Sequence, residues 1–377
     1  MLENDNRILH IITGLEDGGA EAVLYRLCIQ HPSKHQVISL MDAGKYGALL
    51  KRHNIPVYEL NLNPSKPNPY KLFELYSLIK KINPSIVQTW MYHADLLGGI
   101  ASKAAGVTKV FWGIRHSNLS KGTIKPTTRV VMKSCALLSY TIPTKIISCS
   151  KAALNSHIPQ GYTADKFEVV QNGYDLTKFK PLTDSIKRLE LSSDTKPIIG
   201  MVARFDVQKD HKNLINALSI LKNKNIDFHL ILVGKGVDHN NSELIQLINE
   251  SSLIVDKDIT LYGQSNNIPL IMSSIDLHVL SSLGEAFPNV LAEAMACGTP
   301  CVSTNVGDAK EIVSNYGWVV ETQNPVLLAN AIEAALKEFG SDSPKWQSRK
   351  KGGINHIRDN FDLNSMVDNF FRIWGIE

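Results

Sequence analysis

Short runs of β-branched and aliphatic residues alternate with amphipathic stretches along almost the whole chain, the pattern of βα units that feed parallel sheets. In a first series the spacing predicts strands at 8–13, 36–40, 57–60, 86–89, 110–114 and 145–149, with helices near 20–30, 70–82 and 95–105. A second series predicts strands at 198–202, 229–233, 259–261, 277–280 and 300–303, with helices near 212–222, 242–250, 268–273 and 289–296. A break rich in proline and polar residues, 171–196, separates them, and 364–374 reads as one more helix. The expectation is an α/β protein with two cores.

Composition fits that picture: 377 residues with 44% hydrophobic and 20% charged positions suit a soluble enzyme of two or three domains. No run reaches the ~18 apolar residues of a spanning helix, and the apolar start is too short for a secretory signal, so the expected location is cytoplasmic. Cys28, Cys135, Cys149, Cys297 and Cys301 form no C-x-x-C pair, and no histidine stands at ligand spacing beside Cys297 and Cys301. They read as buried free thiols.

The formal net charge of +4 conceals an asymmetry: residues 1–170 carry 20 Lys+Arg against 11 Asp+Glu, and residues 171–377 carry 20 against 25. No acidic residue occurs between Asp95 and Asp165, whereas Lys103, Lys109, Arg115, Lys121, Lys125, Arg129, Lys133, Lys145 and Lys151 fall there. Within this stretch, 126–140 sets Val130, Val131, Ala136, Leu137 and Leu138 among Arg129 and Lys133, compatible with a helix on an anionic bilayer or with a half-buried helix whose basic side faces water. Neither a nucleic-acid motif nor interleaved aromatics accompany the charge, which disfavours nucleic acid as a partner.

Candidate chemistry concentrates where strands end. After the first predicted strand, Gly14-Leu-Glu-Asp-Gly18-Gly19-Ala-Glu21 is a glycine loop opening a helix, where bare backbone N–H groups can face an anion. Its spacing departs from G-x-G-x-x-G, and no acid closes a second strand about 20 residues on, which disfavours a nicotinamide enzyme. In the second series Arg204 and Lys209 follow one strand and Gly234-Lys-Gly236 the next, at the edge where open α/β sheets bind ligands. A forked guanidinium and a point-charge ammonium suit a diphosphate. Between Ser281 and Val302 the chain reads SSLGEAFPNVLAEAMACGTPCV, which sets Glu285 in a loop, Pro288 at the first position of a helix and Glu293 inside that helix. Such a loop acid and helix acid suit a ligand lying across a helix N-terminus. Asp256-Lys-Asp258 has the D-x-D spacing of metal sites but precedes a strand instead of following one, so no metal is expected.

Taken in order, Gly18-Gly-Ala-Glu21, Val170-Gln-Asn-Gly-Tyr-Asp175 with Phe179, Arg204 with Lys209, Val233-Gly-Lys-Gly236, Leu261-Tyr-Gly263 and the E-x-F-P-x-x-x-x-E-A-M-A-x-G-x-P run from Glu285 to Pro300 resemble glycosyltransferase family 4 over almost the whole chain. The resemblance implies a retaining, metal-independent, cofactor-free transferase of the GT-B fold, two facing Rossmann-like domains with parallel sheets. It implies an acceptor domain over 1–175, a nucleotide-sugar domain over 190–358, and a helix in 359–377 crossing back to the first domain. Arg204 and Lys209 would neutralise the nucleotide diphosphate, Glu293 would bind ribose hydroxyls, and Glu285 would lie beside the transferred sugar. Ala286 and Phe287 would offer N–H groups to sugar hydroxyls, Gly234 would line the donor, and Gly18 and Gly19 would approach the donor phosphates. His93 would contact the sugar, with Arg115 and His116 competing for that role.

The donor so implied is a UDP-hexose or UDP-N-acetylhexosamine. The acceptor is a polyprenyl-diphosphate-linked glycan of surface polysaccharide or O-antigen assembly, worked on at the inner face of the membrane, and Arg115, His116, Lys121, Lys125, Arg129 and Lys133 form the acceptor or membrane face. Competing readings are a same-fold transferase for a glycolipid or soluble acceptor, a nucleotide-sugar 2-epimerase, and a non-catalytic nucleotide-sugar-binding protein.

Overall fold

The structure is a computed structural model that describes residues 7–63, 68, 70–119, 124–182, 196–340 and 343–376. The chain divides into two compact units, Met1–Gly173 with Leu363–Glu377, and Tyr174–Asp362. Most of the polar break expected at 171–196 lies outside the described residues.

In the first unit the strands are β1 (Ile8–Ile12), β2 (His35–Ser39), β3 (Val57–Glu59), β4 (Ile86–Trp90), β5 (Lys109–Ile114), β6 (Lys145–Ser148) and β7 (Phe167–Val169). They form one sheet in the order β3-β2-β1-β4-β5-β6-β7, with every pair parallel. The helices between them are α1 (Gly19–Cys28), α2 (Gly44–Arg52), α3 (Tyr70–Ile82), α4 (Tyr92–Ala104), α5 (Pro126–Leu138) and α6 (Lys151–His157). β1 and β4 are buried at every residue, as strands covered on both faces must be. Their pairing marks the switch point, where the strand order reverses and a crevice opens beyond the carboxyl ends.

The second unit repeats the plan with β8 (Ile198–Val202), β9 (His229–Val233), β10 (Ile259–Gly263), β11 (Leu277–Leu280), β12 (Cys301–Thr304) and β13 (Trp318–Val320). The order β10-β9-β8-β11-β12-β13 is again parallel throughout, with the switch between β8 and β11. Its helices are α7 (His211–Asn223), α8 (Ser242–Asn249), α9 (Ile268–Ser274), α10 (Asn289–Ala296), α11 (Ala309–Val313), α12 (Pro325–Glu338) and α13 (Pro344–Asn360). These are two Rossmann-like domains.

The last helix, α14 (Leu363–Trp374), belongs to the first unit. Leu363, Met366, Val367, Phe370, Phe371 and Trp374 recur at helical spacing and pack with Ile8, Leu24, Val37 and Trp90. Trp374 Nε1 donates to Gln88 Oε1 at 3.1 Å, so the indole is satisfied inside the core. Burying side chains of this size contributes roughly 1.5–3 kcal/mol each. The helix begins at Leu363, and 359–362 close the second unit instead: Tyr174 N–H donates to the Phe361 carbonyl at 2.9 Å, and a bridge joins Tyr174 to Asp362. Tyr174 is buried and its hydroxyl donates to Asn289 Oδ1 at 2.5 Å, which fastens the start of the second unit to the first turn of α10.

Pro288 is the residue before the first turn of α10, with φ −74° and ψ 89°, and not the first helical residue as the spacing predicts. Its ψ keeps it extended, and its carbonyl accepts the Leu291 N–H at 3.1 Å. All five cysteines are buried and free. No helix among the described residues is long and apolar enough to cross a membrane.

Candidate functional site

In the second unit the loops after β8, β11 and β12 meet at the carboxyl edge of the sheet. Asp206 caps the short turn Val207–Lys209 through Gln208 N–H, and Asp210, in a left-handed conformation with φ 46°, caps α7 through Asn213 N–H. These two caps fix the backbone on either side of Lys209. Leu283 N–H donates to the Gln208 carbonyl at 2.8 Å, and Ser281 Oγ donates to the carbonyls of Lys209 and Asp210, both at 2.9 Å. The β8 and β11 loops are thereby stitched together.

The stitching brings Lys209 Nζ to 2.5 Å from Glu285 Oε1, with both side chains largely buried. Ser282 Oγ donates to the same oxygen at 2.9 Å, and the Ser282 carbonyl is held by Thr304 Oγ1 at 2.7 Å. Arg204 lies half-exposed in the same loop, its Nε 3.4 Å from Asp206 Oδ2. Gly234 is required by packing: a Cβ there would stand 2.0 Å from the Ala203 carbonyl oxygen, just before Arg204. Gly307 is required likewise, since its Cβ would meet the Ala286 and Glu285 carbonyl oxygens at 2.3 and 2.6 Å. Ala286 and Phe287 are buried, and Phe287 packs edge-on against Phe361. Glu293 lies half-buried on α10, beyond its first turn. His211, the first residue of α7, is buried against Phe205, and burial with Lys209 nearby lowers its pKa to about 4, so it is a neutral neighbour of the ion pair.

In the first unit Gly18 precedes the first turn of α1 and Gly19 opens it. A Cβ on Gly18 would stand 2.3 Å from a Glu21 carboxylate oxygen, so Glu21 folds back over the helix start. An anion approaching this N-terminus meets that carboxylate as well as the N–H groups. His93 lies in the first turn of α4, half-buried, with its pKa lowered by burial.

The expected cationic face is divided by the structure. Arg115 is not a surface cation: its guanidinium stacks on Trp90 at 4.5 Å and donates to Asn172 Oδ1 at 2.9 Å, because the end of β5 turns it under α14 beside Phe370. His116 is tied to the Asn118 carbonyl at 2.7 Å, and Arg129 is half-buried with Nη2 on the Leu119 carbonyl at 3.1 Å. Lys121 lies outside the described residues. Lys125 and Lys133 are exposed beside Val130 and Leu137, which are 67% and 76% exposed, and Tyr140 extends that stripe past the helix end. Met132, Cys135 and Ala136 form the inner side of α5, so Ala136 faces the core and not the outer stripe.

Two groups bear on metals. Asp258 is paired with Lys222 and accepts Ile254 N–H at 3.1 Å, so that carboxylate of the D-x-D stretch serves the turn before β10. The ligand atoms of His10, Cys28 and His35 lie within 4.8 Å of one another in the core. Trp90 Nε1 donates to His10 Nδ1 at 3.1 Å, which places the imidazole proton on His10 Nε2, facing His35 Nδ1 at 2.9 Å. That relay engages both ring nitrogens of His10 and Nδ1 of His35, and leaves His35 Nε2 without a hydrogen-bond partner.

Sequence reasoning missed Ser281, Ser282, Thr304 and Asp206, which orient the predicted residues without being charged partners of a ligand. The S-x-x-E spacing of Ser282 and Glu285 was the available signal.

A profile described as Glycosyl transferases group 1 matches residues 183–351, and one described as Glycosyltransferase Family 4 matches residues 17–178. The chain is 27% identical over 308 residues to the UDP-Gal:alpha-D-GlcNAc-diphosphoundecaprenol alpha-1,3-galactosyltransferase of Escherichia coli, covering 79% of this chain and 76% of that protein. It is 23% identical over 320 residues to the N,N'-diacetylbacillosaminyl-diphospho-undecaprenol alpha-1,3-N-acetylgalactosaminyltransferase of Campylobacter jejuni, covering 81% and 83%. Among solved structures, Anabaena HepE in complex with UDP superposes with a TM-score of 0.85 at 24% identity, over 98% of this chain and 99% of that one. With both halves matched in order and two Rossmann-like domains in place, the chain belongs to glycosyltransferase family 4 and is a glycosyltransferase.

Proposed function

We propose that the protein transfers a sugar, with retention of configuration, from a UDP-sugar to a polyprenyl-diphosphate-linked glycan. The observation that carries the reading is the Lys209–Glu285 pair, set beside Arg204 where loops converge on the carboxyl edge of the second sheet. Sugar transfer develops positive charge at the anomeric carbon and negative charge on the departing diphosphate. Arg204 and Lys209 neutralise the leaving group, a task that needs no metal, and Glu285 stabilises or orients the sugar. Ser282 holds that carboxylate from behind. Glu293, on α10, takes the ribose hydroxyls, and His93 contacts the sugar from the first domain. Retention follows from same-face attack with the leaving phosphate as base. The undecaprenol-linked substrates in the names of both relatives support the choice of acceptor.

The exposed apolar stripe of α5, flanked by Lys125 and Lys133, supports work at an anionic membrane surface. Incubating the pure protein with UDP-hexoses and UDP-N-acetylhexosamines, with and without a polyprenyl-diphosphate sugar, tests the reading. Release of UDP only when acceptor is present supports it. Release without acceptor, or epimerised donor, refutes it.

A further inference from the structure

The corner between β4 and α4 carries a backbone strain and a buried acid that the roles above do not use. Met91 has φ 72° and ψ 157°, a region that the Cβ of any L-residue other than glycine makes costly. Strain of this kind persists only where its surroundings hold it, and four bonds do so here. Met91 N–H donates to the Gly113 carbonyl at 2.9 Å, and the Met91 carbonyl accepts Asp95 N–H at 2.9 Å. Asp95 Oδ1 accepts Thr89 Oγ1 at 2.5 Å and Gly113 N–H at 3.2 Å. One carboxyl therefore ties the first turn of α4 to β4 and to β5. Gly113 permits this approach, since a Cβ there would stand 2.6 Å from the Thr89 carbonyl oxygen.

Asp95 is fully buried, and its Oδ2 has no hydrogen-bond partner. Burial pushes its pKa up to about 8, so at neutral pH it is a carboxylic acid, the shape of an asparagine amide. His93, two residues earlier, makes no hydrogen bond among the described residues. Its direction is thus set by the backbone of the corner and not by partners of its own.

We propose that Asp95 is the positioning residue for His93: its carboxyl clamps the first turn of α4 to two strands, so that the strained Met91 corner presents the imidazole in one orientation at the carboxyl edge of the first sheet. This rests on His93 contacting the sugar. Turnover with UDP-sugar and a polyprenyl-diphosphate sugar, with UDP affinity in parallel, tests it in the full chain. Asp95→Ala should lower kcat by about tenfold or more and leave the UDP dissociation constant within about twofold, because the second unit keeps its own core. Asp95→Asn should recover most of the rate, since its amide oxygen accepts the same two bonds. In a His93→Ala background, Asp95→Ala should cost little further, the non-additivity expected of a residue acting through another. Met91→Gly, which the backbone accommodates, should fold and still lose kcat, and it carries the test with Asp95→Asn if Asp95→Ala does not fold. Additive losses, or full kcat in Asp95→Ala or Met91→Gly, overturn the proposal while the His93 reading stands. Full kcat in His93→Ala overturns both.

Discussion

Lys209 Nζ lies 2.5 Å from Glu285 Oε1, although 76 residues separate the two in the chain. In the proposed mechanism, the ammonium that stabilises the leaving diphosphate is thus paired with the acid that addresses the sugar. Lys209→Ala and Arg204→Ala should each cut kcat by about 10²–10³, the usual result of removing charge stabilisation at a developing anion. Near-normal turnover in either variant would remove that residue from the mechanism. The double variant Lys209→Ala/Glu285→Gln should lose less than the product of its single losses, because the two side chains are in contact.

The two glutamates are expected to separate kinetically. Glu293→Gln should weaken UDP binding by about tenfold, the loss of one charge-assisted hydrogen bond, with a smaller effect on saturated turnover. Glu285→Gln should slow transfer while UDP affinity stays close to normal. Titration of UDP alone, which lacks the sugar, reads the first effect without the second. An equal loss of UDP affinity in both variants would refute the division.

Asp95 makes stability depend on pH with a defined sign. Its folded pKa of about 8 lies above the ordinary aspartate value of 3.8, so between these values the folded state holds a proton that the unfolded state has released. The contribution is fully present below about pH 4 and is lost as pH rises towards 8, with a slope of at most about 1.4 kcal/mol per pH unit. Asp95→Asn should flatten the melting temperature across that window and raise it at pH 8. A wild-type profile level from pH 5 to pH 8 would contradict the assignment.

For the outer side of α5, co-sedimentation should require anionic vesicles and weaken with salt, since charges are screened beyond ~10 Å at 0.1 M. Val130→Asp with Leu137→Asp should abolish it without loss of folding, because both positions are exposed. Binding to neutral phosphatidylcholine vesicles that salt does not change would point to another use of the stripe.

In the proposed mechanism Arg204 and Lys209 supply the positive charge at the diphosphate, so turnover should survive a chelator. Strong loss with EDTA, restored by magnesium or manganese, would sink the metal-free mechanism.

What the chain disclosed follows from locality. β8, β9 and β11 are found at their predicted bounds because each is a short, fully buried run dominated by aliphatic residues. The helices α12 and α13 were not predicted, since alanines blur the stripe of the first and the second is polar on most sides. Motif spacing names Glu285 and Lys209 separately as candidates. Their contact depends on how two loops cross at a sheet edge, through Ser281 and Leu283, and one-dimensional spacing carries no such information. Arg115 misled for the same reason: a cation count cannot tell a solvated side chain from one folded under Trp90 and Phe370.

α14 supplies core side chains to the first domain but leaves the ribosome only after the second. During synthesis, β1 and β2 must wait for roughly the whole remaining chain before Phe370 and Trp374 arrive to cover them. The first domain, begun before the second, is therefore finished after it, and loss of α14 would be felt at β1 and β2.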